Sequence, residues 1–241
     1  MAEPSRPAHP TFEQRMVERG PRGAVIGALV VPIFALACLW QWQSPNPLSR
    51  VTLFSAGFVG LVTLASLEQA LVFLRSAMRS EATLKEAIGT NYDRGLVRAI
   101  IMMSVLDYLY LLDYAHWHLA PALERRPLQW AGIAAAGASL LILAWADRWL
   151  SRHFASDSSA KEMMTGGPYR YVRHPRYVSI ILGKLAAPLL LGSVMAWIAF
   201  PVYVLLIFRR IRREEPHLRA LFGTAYDAYA SGTARLIPGI F

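Results

Sequence analysis

The chain has a single cysteine, Cys38, in 241 residues, which rules out an internal disulfide and gives no support to a redox role. Charge is scarce as well: 17% of residues are charged, with 16 Asp and Glu against 25 Lys and Arg. There is neither an internal repeat nor a low-complexity tract. The formal net charge of +9 comes without a basic stripe interleaved with stacking aromatics, so it argues for no nucleic acid. Inner loops facing anionic lipid headgroups account for it. The largest deficit is in polar interruptions. With 55% hydrophobic residues and a mean hydropathy of +0.33, the apolar residues run in long blocks instead of interleaving with polar ones at helical spacing. That excludes a soluble globule built around one core.

The blocks have the length of membrane spans, since about 20 mainly apolar residues cross a hydrocarbon core roughly 30 Å thick. Residues 23–42 meet this requirement, as do 51–74, broken by Glu68 and Gln69, and 128–149, whose early polar residue is Gln129. Residues 96–119 are weaker, with Asp107 and Asp113 inside them. Residues 177–208 are too long for one helix and hold Gly192 and Ser193 near the centre, which predicts a hairpin of two helices of about 15 residues each. The expected fold is all-α: a polytopic integral membrane bundle of about six spans with a C-terminal helical hairpin and a cytosolic cofactor site.

Basic residues test the span count independently, because they stay preferentially on the cytoplasmic side. With the N-terminus inside, the 25 Lys and Arg all fall on inner segments except Arg50, Arg125 and Arg126 in outer loops and Lys184 within a span. This predicts a multi-pass membrane protein with both termini cytosolic. Three regions follow: a mobile cytosolic tail over 1–22, N-terminal membrane helices over 23–147, and a C-terminal region over 148–241. The run Ala35-Leu36-Ala37-Cys38 faintly resembles a lipoprotein cleavage box but lacks its leading Leu, and an uncleaved first helix is the expectation.

Chemistry is sought in the two polar segments that flank the hairpin. The first, 166–177, reads Gly-Gly-Pro-Tyr-Arg-Tyr-Val-Arg-His-Pro-Arg-Tyr. Its glycines and prolines forbid a continuous helix and leave backbone N–H groups unsatisfied by one, and irregular backbone beside a membrane lines cavities. The second, 209–218, reads Arg-Arg-Ile-Arg-Arg-Glu-Glu-Pro-His-Leu. Each segment has an ordinary explanation: the arginines anchor a span, Glu214 and Glu215 neutralise them at helical spacing, and His174 is a loop histidine. The hairpin, however, brings both to one membrane face.

Taken together, residues 167–177, the hydrophobic hairpin, and residues 210–218, followed by Phe222, Gly223, Tyr226, Tyr229 and Pro238, resemble the C-terminal signature of the isoprenylcysteine carboxyl methyltransferase and phospholipid methyltransferase superfamily. The resemblance covers about residues 148–241. It implies an S-adenosylmethionine-dependent methyltransferase whose Arg-His-Pro and Glu-Glu elements hold the cofactor, a role carried onto His174, Tyr177, Glu214 and Glu215. Physical chemistry extends the set. Arg173 and His174 suit the cofactor carboxylate, Glu214 and Glu215 its ammonium or ribose hydroxyls, and Tyr171 and Tyr177 its adenine or sulfonium.

Methyl transfer needs alignment and desolvation more than a covalent nucleophile. Arg210 is the catalytic candidate for holding an acceptor carboxylate; Glu215 or His217 would serve as a base for a thiol or amine. The resemblance implies a lipophilic, isoprenylcysteine carboxylate-like acceptor, with phospholipid N-methylation and thiol S-methylation as alternatives. A nicotinamide-dependent sterol-type reductase, which shares a related Arg-His and Tyr pattern, is the reading from another class.

Local signals complete the expectations. Pro216 should kink or stop the last span and start a short helix ending at Gly223, and Thr224 should cap the next turn, whose Tyr226 and Tyr229 would lie over the site as a lid or rest in the interface. Glu68 and Lys184, each roughly 10 Å deep, can pair or snorkel separately. Asp107, beside Tyr108 and Tyr110, reads as interfacial. His116 and His118 flank Trp117 without a third metal ligand, so an aromatic belt is expected and no metal.

Overall fold

The computed structural model describes residues 30, 33–41, 43–79, 106–156 and 163–239. The expected tail over 1–22, most of the first span and the beginning of the fourth lie outside them. The described chain is helical: α1 (Leu53–Arg79), α2 (Arg126–Ser156), α3 (Pro175–Leu191), α4 (Val194–Phe222) and α5 (Thr224–Gly232). Shorter helical stretches occupy 33–39 and 106–112, the latter running into a π-turn at Asp113–Trp117. Among the described residues the β pairing is a single isolated bridge between Val172 and Ala234. Two of these helices are long and apolar enough to cross a membrane, Arg126–Leu150 within α2 and Val194–Phe222, and Leu53–Ala65 within α1 is a shorter apolar helix.

The C-terminal hairpin forms at the expected residues. Gly192 ends α3 at φ 61°, ψ 19°, with its N–H donating to the Pro188 carbonyl at 2.9 Å. A side chain at this position would be strained by that φ and would stand 2.8 Å from Glu124 Cγ. Ser193 then caps α4, its hydroxyl accepting from Ala196 N–H at 3.3 Å and donating to Asp113 Oδ2 at 2.6 Å. The same carboxylate oxygen accepts from Met195 N–H at 3.3 Å. Asp113, a polar interruption in the sequence, is therefore the buried acceptor at the positive end of α4.

Small residues set α2 against α3. A Cβ on Gly132 would meet Leu190 at 2.8 Å, and one on Gly183 would meet Ser139 Oγ at 2.9 Å. At this crossing Ser139 donates to the Ser179 carbonyl at 2.8 Å and Ser179 to the Ser139 carbonyl at 2.9 Å. Close approach by small residues and reciprocal hydroxyl bonds are how helices associate where burying apolar surface gives no driving force. Phe54, Phe58 and Leu61 of α1 pack with Leu111, Tyr114, Leu190 and Leu191 in the main buried cluster.

Two local expectations are corrected. Pro216 does not end the helix, because α4 runs unbroken to Phe222. Pro216 and Arg212 are both on the exposed side, where water can replace the one hydrogen bond that proline forfeits. Thr224 makes no cap bond: Gly223, at φ 58° and ψ −133°, occupies the N-cap of α5 while its N–H donates to the Arg219 carbonyl at 2.8 Å. Gly223 has a positive φ, but its ψ of −133° is not that of a left-handed helix cap.

Candidate active site

Between the polar end of the hairpin and the apolar helices lies one cavity of about 750 Å³. Helical periodicity explains its walls. Tyr177, Ile180 and Lys184 form one stripe of α3, and Tyr203, Ile207, Arg210, Glu214 and Leu218 one stripe of α4. Phe58, Leu61, Val62 and Ala65 of α1 close the apolar side, and the loop before α3 contributes Tyr169, Arg173 and His174. One end is thus lined by cations, a carboxylate and a phenol, and the rest mostly by aliphatic and aromatic side chains.

The loop before α3 is held in place by contacts on both sides. Gly167 has φ +56° and packs so closely on the Trp149 ring that a Cβ would lie 2.4 Å from it, and Pro168 and Pro175 are buried. From the other side, the backbone N–H groups of Arg173 and His174 donate to the carbonyls of Ala234 and Arg235 at 2.8 and 3.2 Å. Tyr229 donates to the Tyr169 carbonyl at 2.6 Å. No residue of α5 lines the cavity; the C-terminal segment holds the loop through its backbone.

Glu214 Oε1 accepts from Tyr177 Oη at 2.5 Å and from Arg210 Nε at 2.8 Å. The Arg210 guanidinium also stands 5.5 Å from the centre of the Tyr177 ring, and the His174 ring stacks on that tyrosine at 5.5 Å. His174 is buried, and neither its Nε2 nor Arg173 Nε has a hydrogen-bond partner within the protein. Both nitrogens border the cavity, where a bound anion could accept from the guanidinium and from an Nε2–H imidazole.

Not every expected residue reaches the cavity. Arg173, His174, Tyr177, Arg210 and Glu214 line it; Tyr171 and Glu215 do not. Tyr171 is 59% exposed and lies 6.1 Å from the Trp145 ring. Glu215 is buried and turned to the tail, with Arg235 Nε at 3.1 and 3.0 Å from its two oxygens and Arg235 Nη2 at 2.9 Å. Its Oε1 lies 3.5 Å from Arg173 Nε and 3.6 Å from His174 Nε2, which places it behind the donors. Sequence reasoning missed Arg235 and the Arg176–Asp147 ion pair at 2.9 Å. No motif marks either one, because both partners come from distant segments.

The charges inside the spans are also arranged differently. Lys184 Nζ donates to both oxygens of Asp107, at 2.8 and 2.6 Å, so Asp107 is a buried partner and not an interfacial residue. The Glu68 side chain lies outside what is described. His116 and His118 bond within the protein, His116 Nε2 to the Cys38 carbonyl at 3.0 Å and His118 Nε2 to Glu124 at 3.2 Å.

Burial pushes His174 below the ordinary histidine range, opposed by Glu214 and Glu215 and reinforced by Arg173. The imidazole is therefore neutral at pH 7. A histidine whose pKa is lower folded than unfolded binds fewer protons when folded, so its contribution to stability is complete above about pH 6.5 and is lost as pH falls through the folded value. The melting temperature of the ligand-free protein is expected to drop between pH 7 and pH 5, and to drop less in His174→Gln. Identical pH profiles for the two proteins would show that this site does not govern the acid response.

Residues 128–225 match the phospholipid methyltransferase family. Curated relatives include a protein-S-isoprenylcysteine O-methyltransferase of Schizosaccharomyces pombe, 35% identical over 77 residues, which are 32% of this chain and 33% of the relative. Another is protein-S-isoprenylcysteine O-methyltransferase A of Arabidopsis thaliana, 34% identical over 77 residues, 32% of this chain and 39% of the relative. An uncharacterised protein of Bacillus subtilis is 27% identical over 149 residues, 59% of this chain and 86% of the relative. The chain thus spans about a third of the length of the first two relatives. No solved structure matches.

Proposed function

We propose that the protein is an S-adenosylmethionine-dependent membrane methyltransferase acting on a lipophilic acceptor, because residues 128–225 match the phospholipid methyltransferase family and its relatives include protein-S-isoprenylcysteine O-methyltransferases. The observation that carries this reading is the single cavity that joins a polar end, within the matched segment, to an apolar channel lined by α1. The residues fit the cofactor. Arg173 Nε and His174 Nε2 are buried and make no hydrogen bond within the protein, with Glu215 Oε1 behind them at 3.5 and 3.6 Å; they suit its carboxylate, and Glu214 Oε2 is an acceptor suited to its ammonium or ribose hydroxyls. When bound, the cofactor supplies an activated methyl group on a cationic sulfur.

The chain's part is orientation and exclusion of water. Tyr177, fixed by Glu214, offers a ring face to a cation, and Arg210 presents a planar guanidinium to an acceptor carboxylate at the point where the cavity turns apolar. Acceptor alkyl surface in the channel drives water out and strengthens every charged contact at the polar end. The acceptor is a prenylated cysteine carboxylate or a similar lipid acid. Phospholipid amines and thiols would have less use for Arg210.

The remaining architecture follows the distribution of arginines. The described helices belong to a bundle of about six spans with both termini cytosolic, in which residues 23–147 provide acceptor access and 148–241 the cofactor end. Purified protein titrated calorimetrically is expected to bind S-adenosylhomocysteine and not NADPH. Binding of NADPH alone would turn the assignment to a reductase.

A further inference from the structure

The cavity does not end in hydrocarbon-like wall. At its inner end stand Asp107 and Lys184, an ion pair closed at 2.6 Å, with the ammonium 4.8 Å from the centre of the Tyr203 ring. All three line the cavity. Lys184 lies seven residues after Tyr177 on the same face of α3, which puts the pair about 10 Å deeper than the polar end. Nothing in methyl transfer at Arg210 and Glu214 uses it.

A pair of charges at this depth is costly to maintain. Each ion loses hydration worth several kcal/mol, only partly recovered by mutual attraction, and apolar side chains of similar volume would join the 106–112 helix to α3 at least as well. The pair is not sealed between helices but faces the cavity, with side chains 10% and 19% exposed. Asp107 takes two of the three ammonium donors, leaving the third N–H and the remaining carboxylate lone pairs as hydrogen-bonding capacity. Because the pair is neutral as a unit, it suits an uncharged oxygen better than a second ion, whose desolvation nothing nearby would offset.

We propose that Asp107, Lys184 and Tyr203 form a distal polar subsite that selects lipophilic acceptors carrying a hydroxyl or carbonyl oxygen about 10 Å from the methylated end. This rests on the reading of the cavity as the acceptor site. Among the lipid acids proposed above, those with an oxygenated tail fit best, since a plain prenyl chain would leave the pair without a ligand partner. The acceptor is then a two-ended amphiphile, methylated at one end and recognised at the other.

The test uses two photoreactive probes, a decyl diazirine and its 10-hydroxy counterpart, on full-length protein in lipid nanodiscs. Labelled peptides are mapped by mass spectrometry and normalised to labelling of the lipid-facing Leu141, 73% exposed. With its hydroxyl docked at the pair, the hydroxylated probe carries its diazirine to the other end of the cavity and is expected to label residues around Tyr177 and Arg210 about tenfold more than the plain probe, as one good hydrogen bond to a charged group allows. That preference should vanish in the double variant Asp107→Leu, Lys184→Met, which removes both charges together and so leaves no buried ion unpaired. Equal labelling by the two probes, no labelling by either, or a preference that survives in the double variant would each make the pair a helix fastener only. Binding of S-adenosylhomocysteine on the same samples keeps the two readings apart. Its failure in the parent protein would remove the methyltransferase assignment, while the labelling ratio would still decide the subsite.

Discussion

Arg210→Lys is expected to bind S-adenosylhomocysteine within about twofold of the parent protein and to transfer methyl groups about a hundredfold more slowly, the loss that follows from misplacing an acceptor by roughly 1 Å. Arg210 lines the cavity, and its Nε is held by Glu214 at 2.8 Å. Lysine keeps the charge and the long stem, which is all that anchoring a helix end at the headgroups requires. It loses the planar fork. Single-turnover rates with an S-isoprenylcysteine acceptor, measured beside calorimetric affinities, separate the two roles. Turnover within a few-fold of normal would return Arg210 to anchoring and favour an acceptor without a carboxylate.

Glu215→Gln is expected to destabilise the protein by about 2–3 kcal/mol, below the full figure for a buried pair because Arg235 is a third exposed. In a domain of this size that amounts to a melting temperature lower by roughly 5–10 °C. The carboxylate serves Arg235 through both oxygens and lies beside Arg173 and His174. Removing its charge loosens the segment that pairs with the loop before α3 and takes the carboxylate away from the Arg173 guanidinium. Cofactor affinity should fall as a consequence, and Arg235→Met, which breaks the same contact from the exposed partner, should reproduce the loss in milder form. A variant as stable as the parent that nonetheless fails to bind S-adenosylhomocysteine would make Glu215 a direct ligand, the role its place in the Glu-Glu motif implies.

These two residues show where the sequence is informative. The two long apolar helices, the hairpin turn and the polar ends are local properties, carried by runs of apolar residues and by Gly192 and Ser193, and they are legible without coordinates. Which of two adjacent glutamates faces the cavity is not. Glu214 and Glu215 lie about 100° apart around α4, and only the stripe 203, 207, 210, 214, 218 identifies the cavity face. Lys184 illustrates the same limit across helices. Depth along each span is countable from its ends, but helix rotation and neighbour order are set by packing, here by Gly132, Gly183 and the paired serines of α2 and α3. Depth alone made Glu68 a candidate partner, whereas packing brings Asp107. Pro216 exposes the weakness of single-residue rules, since the cost of one lost hydrogen bond does not break a helix whose other face is buried at Ile211 and Glu215.

The protein is proposed to move a methyl group onto a lipophilic acceptor at the polar end of its cavity. The most direct test is mass spectrometry of lipid extracts from membranes incubated with methyl-labelled S-adenosylmethionine, comparing the parent protein with Arg210→Lys and His174→Ala. The account predicts an organic-extractable species heavier by one labelled methyl group, formed by the parent protein and strongly reduced in both variants. An extract with no such species, or one formed equally by all three proteins, would contradict it.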